Sequence, residues 1–257
     1  MGKYFEAIRR EGNLTRLEPI RYAKADEHLR MRKTLSAVTE FSSAADEPRV
    51  LLKIAKSSTI RRISERLAPK ARLGEHVRVL FAGCRPGDGC STVAGALAFD
   101  LSERLGLTTL LVDANFSRPG LHRLFSIHDD QSQNLTKGAF NSVQDTHFAQ
   151  LKILTASSLT NLMRDPRSEI FDELANSSSV VVCDLGVVRL DARTLNLVRP
   201  SDPLLLVARY GHTEFSEILD TTAALRAAER SPVGVILNAA QESIPTFVRR
   251  FLGLRRN

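Results

Sequence analysis

Nine consecutive residues, Cys84-Arg85-Pro86-Gly87-Asp88-Gly89-Cys90-Ser91-Thr92, have the types and spacing needed to hold phosphate. Small residues let successive backbone N–H groups turn inward around phosphate oxygens, and a helix starting there points its positive end at them. Ser91 stands where the Ser/Thr of G-x-x-x-x-G-K-[ST] offers a hydroxyl to Mg²⁺. Two parts of that pattern are missing. Cys84 replaces its first glycine, and Cys90 replaces the lysine that follows its last one. A neutral thiol cannot bridge β- and γ-phosphates or offset the charge that develops in phosphoryl transfer. Arg85 is the nearby residue able to supply a cation, because a guanidinium reaches phosphate bidentately. The phosphate contacts expected are therefore Arg85, Gly87, Asp88, Gly89, Cys90, Ser91 and Thr92.

Two carboxylates complete the set. Asp113 follows the apolar run Thr108–Val112, and Asp184 follows Val180–Cys183. Further short apolar runs, Val77–Ala82, Leu151–Leu154, Leu204–Val207 and Val233–Leu237, are spaced by helical segments such as Ser91–Leu105. Continuous apolar strands alternating with helices predict an α/β, doubly wound, mostly parallel sheet buried on both faces. In such sheets ligands bind at the carboxyl ends of the strands. Gly83, Asp113 and Asp184 are all expected there.

The chain has 257 residues, of which 43% are hydrophobic and 25% charged, the balance of a globular protein able to bury a core. No run approaches the length of a membrane span, the N-terminus lacks the pattern of a secretory signal, and three cysteines suit a reducing cytoplasm. The net charge of +7 is uneven: residues 1 to about 75 are rich in Arg and Lys, and Arg249–Asn257 holds four Arg and no acid. Such ends suggest an acidic partner, whether nucleic acid, anionic lipid or protein. Ile244, Phe247, Val248, Phe251 and Leu252 fall on one helical stripe with the arginines largely off it, the pattern of an interfacial amphipathic helix or of a helix packed on its own domain. Three regions are expected: an N-terminal extension over 1–75 with helical stretches at Ala25–Val38 and Ser58–Leu67, a nucleotide-binding-type domain over 76–242, and a basic tail over 243–257.

These motifs resemble those of the bacterial tyrosine kinases of exopolysaccharide and capsule synthesis, relatives of the MinD/ParA deviant Walker ATPases. The phosphate loop is similar to their S-x-x-P-G-E-G-K-S-T. Leu110–Phe125, with Asp113, Asn115, Arg118-Pro119 and Leu121-His122-Arg123-Leu124-Phe125, resembles their D-x-D, R-x-P and L-H-R-L-F elements. Val180–Asp184 is similar to their Walker B strand, and Val233–Asn238 to a late strand whose Asn238 lies near the base pocket. The resemblance implies a P-loop fold, ATP or ADP with Mg²⁺ held by Ser91, Asp113 and Asp184, and catalytic roles for Asp113 and Asp184 in an active enzyme. It also implies a membrane polysaccharide co-polymerase or export complex as partner, at the inner membrane face. Glu27-x-x-Arg30-x-x-Lys33 resembles the element with which such kinases form rings, which implies a homo-oligomer. Anionic lipid contact through 244–257 resembles the membrane-targeting tail of MinD proteins; nucleic acid is not an expected partner.

The departures from the family all fall on catalysis. Lysine becomes Cys90, the second aspartate of D-x-D becomes Asn115, D-T-P-P becomes Asp184-Leu185-Gly186-Val187, and the tail has no tyrosine. The expected protein is thus a catalytically degenerate kinase-like regulator of polysaccharide polymerisation and export. Two alternatives stand beside it: an active ATPase or autokinase using Arg85 for lysine, and a MinD/ParA-like positioning ATPase.

Overall fold

Residues 47–127, 143–163, 177–188, 197, 199 and 201–239 are described by the computed structural model, and all belong to one compact unit, Ala37–Gln241. The helical stretch expected at Ala25–Val38, the ring element at Glu27–Lys33 and the tail at 243–257 lie outside the described residues.

The apolar runs fold as strands of one seven-stranded sheet. In chain order these are β1 (Val77–Gly83), β2 (Thr109–Asp113), β3 (Val143–Asp145), β4 (Leu151–Leu154), β5 (Val180–Val187), β6 (Leu204–Arg209) and β7 (Gly234–Asn238). Their spatial order is β3-β4-β2-β5-β1-β6-β7, with β3 antiparallel to β4 and every other pairing parallel. The central strands β1, β2 and β5 are buried almost throughout, which is why their sequences run apolar without alternation.

Helices cover both faces. On one face pack α1 (Glu47–Ala55), α2 (Ser58–Arg72), α3 (Cys90–Phe99) and the short α4 (Leu121–Leu124). They meet the sheet through Leu51, Ile60, Ala68, Val93, Leu97 and Leu121, packed with Val79, Phe81 and Leu111. On the other face α5 (Ala156–Leu162) and α6 (Phe215–Ala227) bring Leu159 and Leu225 against Leu80, Val112 and Leu206. The segments forming α1 and α2 were placed with the N-terminal extension on sequence, yet they bury Leu51, Ala55, Ile60, Ala68 and Ala71 in the same core as the sheet. Helix α2 opens on Ser57, whose hydroxyl accepts the Ile60 N–H at 3.3 Å and so caps its first turn.

Two features differ from the expected elements. The helix after the phosphate loop ends as α-helix at Phe99 and continues as one π-helical turn, Asp100–Arg104, clasped by a bidentate Arg104–Asp100 pair with both contacts at 2.7 Å. Strand β5 does not stop at Asp184 but runs on to Val187. Its register with β1 shifts between Phe81 and Gly83, and Gly186 takes a left-handed φ of 64°.

Candidate functional site

The loop between β1 and α3 occupies the carboxyl end of the sheet beside the ends of β2 and β5. Its shape comes from inside. Gly87 (φ 91°) and Gly89 (φ 84°) adopt the left-handed backbone that turns the chain into the helix. Between them Asp88 is almost fully buried. Its Oδ2 accepts the N–H groups of Cys84 at 3.0 Å and Arg85 at 2.8 Å, and its Oδ1 accepts the Thr213 hydroxyl at 2.6 Å. Asp88, expected to touch phosphate, is instead the strut that folds the loop. Three backbone amides at the start of α3, those of Cys90, Ser91 and Thr92, have no acceptor within the helix. They present a positive end to whatever lies above the loop.

Asp184 faces this end through Ser91 and Cys90, and Asp113 stands beside it on the next strand. They sit directly opposite each other in the β2–β5 pairing, so their side chains leave the sheet from adjacent strands about 5 Å apart. Both are fully buried. Asp113 is well supplied with donors: its Oδ1 accepts the Asn115 N–H at 3.1 Å, and its Oδ2 accepts those of Gly120 and Leu121, each at 3.0 Å. Even so, burial and then the Asp184 charge push its carboxyl up to about 7. Asp184 accepts the Gly186 N–H on Oδ1 at 2.9 Å, while Oδ2 is buried with no hydrogen bond of full geometry. Burial raises its pKa; the nearby Ser91 hydroxyl and Cys90 thiol pull it partly back.

Cys90 is buried and turned toward this pair. Burial first, then the Asp184 charge, hold its thiol well above the ordinary range, so it stays neutral. It brings no charge to a place where two carboxylates already lie. Arg85, the residue expected to compensate, points elsewhere. Its guanidinium donates to the His212 carbonyl at 3.1 Å and pairs with Glu217 of α6 at 3.3 Å.

Asn238 lies at the end of β7, as expected for a residue near a base, and its amide donates to the Asp88 carbonyl at 2.8 Å. It packs so closely over Gly89 that a Cβ there would collide with its side chain. Asn115 caps the next turn by accepting the Arg118 N–H at 3.1 Å and lies against Gly186, where again a Cβ would strike it. The structure thus brings together Gly87, Asp88, Gly89, Cys90, Ser91, Thr92, Asp113, Asp184 and Asn238, with Arg85 at the rim. Sequence reading missed His212, Thr213 and Glu217, which join the loop from more than a hundred residues away and carry no local signal.

A divalent cation at this site needs several oxygen donors. Among the described residues no group of three or more His, Cys, Asp or Glu forms a ready cage. The unpartnered Oδ2 of Asp184 beside the Ser91 hydroxyl does fit a hard cation that takes its remaining ligands from phosphate and water. Asp113 stands behind it, with both oxygens already bonded to backbone. Among the described residues no helix is long and apolar enough to cross a membrane.

No protein-family model and no curated protein matches the chain. Solved structures do. The VpsO kinase domain superposes with a TM-score of 0.60 at 23% identity over 85% of this chain and 100% of that one. The kinase domain of the Escherichia coli tyrosine kinase ETK gives 0.57 at 21% identity, covering 66% and 70%. The septum site-determining protein MinD of Pyrococcus horikoshii, solved with Mg-ADP, gives 0.50 at 19% identity, covering 68% and 76%. A phosphate loop between β1 and α3, paired carboxylates at neighbouring strand ends and these superpositions together show that the chain has the P-loop α/β fold of bacterial tyrosine kinase domains and MinD-type ATPases.

Proposed function

We propose that this chain is a tyrosine-kinase-like P-loop protein that holds a nucleoside phosphate without transferring phosphoryl groups efficiently, and that it regulates polysaccharide polymerisation or export at the inner face of a membrane. One observation carries the first half: a preformed phosphate loop faces two aligned, buried carboxylates, while its lysine position holds a buried neutral thiol. Phosphoryl transfer depends mainly on positioning and charge stabilisation. Positioning is supported here by the loop amides, Ser91 and Asp184. Charge stabilisation lacks its usual residue. Mg²⁺, held by Ser91 and Asp184 with Asp113 behind them, would neutralise phosphate charge when bound, and the MinD neighbour was solved with Mg-ADP.

The second half rests on the kinase resemblance and on the basic amphipathic pattern over 244–257. That tail is proposed to meet anionic lipid, and a membrane co-polymerase or export complex is the proposed partner. Flotation with anionic liposomes should lose this chain on deletion of 244–257; undiminished binding would refute the lipid contact.

An active ATPase or autokinase remains the rival, with Arg85 in place of lysine, and a MinD-like positioning ATPase is a third. Turnover of γ-labelled ATP separates degenerate from active protein. The expected rate for wild type is no higher than that of Asp184→Ala. A wild-type rate that Asp184→Ala abolishes would establish the active reading instead.

A further inference from the structure

We propose that the loop is selective for nucleoside diphosphates: it binds a β-phosphate and loses net affinity when a third phosphate is added. This rests on the proposed nucleotide site and specifies its ligand. The amides opening α3 and the left-handed turns at Gly87 and Gly89 form a cradle of backbone dipoles, which serves one phosphate group at the helix end. A third phosphate adds negative charge beyond that cradle, and in a P-loop site it is the lysine that spans the β- and γ-groups.

Neither Cys90 nor Arg85 offers a cation at the lysine position. Cys90 is buried, and a thiol side chain carries no positive charge in any protonation state. The Arg85 guanidinium is held at the rim by the His212 carbonyl and the Glu217 carboxylate, and drawing it inward would leave Glu217 without its ion pair. On the other side stand Asp113 and Asp184, fully buried and opposite each other. They are acidic groups and offer a γ-phosphate no positive charge of their own. Whatever negative charge they keep repels a γ-phosphate, the more so in a buried setting. The third phosphate therefore brings repulsion without a matching contact.

The test is titration calorimetry of the full chain with ADP and with ATP, each with Mg²⁺, beside Cys90→Lys and Glu217→Gln. The wild type should bind ADP about tenfold more tightly than ATP, a difference of about 1.4 kcal/mol. Cys90→Lys should raise ATP affinity by about tenfold while changing ADP affinity little. Cys90 is buried, so Glu217→Gln, at a partly exposed position, gives a second readout that does not depend on folding of the Cys90→Lys variant. Freeing Arg85 should shift the balance toward ATP by roughly threefold. Wild type binding ATP as tightly as ADP would overturn the proposal while leaving a nucleotide site in place. Binding of neither nucleotide would overturn the site itself.

Discussion

Cys90 stands at the residue position where a positive charge would matter most, and its neighbours explain how the fold tolerates a thiol there. Two buried carboxylates without a cation would be costly if both ionised. Raising both pKa values lets the pair stay partly protonated, and a neutral thiol packs against it without adding charge. The sign for stability follows. A carboxyl whose folded pKa exceeds its unfolded value stabilises the fold at low pH, and that contribution is lost as pH rises through the folded value. For Asp113 the interval runs from its ordinary 3.8 up to about 7. Without metal, the contribution of Asp113 to thermal stability should therefore fall between about pH 4 and about pH 7. A divalent cation competes with those protons, so the rise in Tm given by millimolar Mg²⁺ should be larger at about pH 8 than at about pH 6. Differential scanning fluorimetry at the two pH values checks this, and a Mg²⁺ effect that does not grow with pH would contradict it.

Among the elements, the phosphate loop is held from two sides by its neighbours. The segment leading into α6 reaches it through Thr213, His212 and Glu217, and β7 reaches it through Asn238. Thr213→Val would leave the buried Asp88 Oδ1 without its donor, which costs about 1–3 kcal/mol. Denaturant unfolding should show a loss of that size, and an unchanged midpoint would mean that the strut is dispensable. Much of the framework was legible in the sequence, because strands buried on both faces leave unbroken apolar runs such as Val180–Cys183. The carboxyl-end position of Asp113 was legible for the same reason. Strand β3 was not: it is three residues long, half exposed and antiparallel, too short to show a period. The continuation of β5 past Asp184 follows from the residues after it. The family pattern puts prolines there, which cannot donate to a ladder, whereas Leu185-Gly186-Val187 can stay paired. The partners of the loop were illegible for a plainer reason. Hydrogen bonds between residues such as Asp88 and Thr213 depend on the sheet order β1-β6, and no local spacing records it.

At the scale of the whole molecule, the fold is shared with the superposed structures, and the proposed loss of phosphoryl transfer is local to a few side chains. Identities of 19–23% to the superposed structures accompany a common P-loop architecture, and the departures from the kinase motifs this chain resembles include Cys90, Asn115 and the segment after Asp184. Folds persist under sequence change because the buried pattern is kept, whereas function resides in a few side chains grafted on it. The central claim is that the turn ending at Thr92 and the paired carboxylates form one nucleotide site. A crystal grown with ADP and Mn²⁺, read by the anomalous signal of the metal, tests it most directly. The account predicts a β-phosphate on the amides of Gly89 to Thr92 and a Mn²⁺ peak between the Ser91 hydroxyl and Asp184. Nucleotide bound elsewhere, or a loop left empty at saturating ADP, would contradict it.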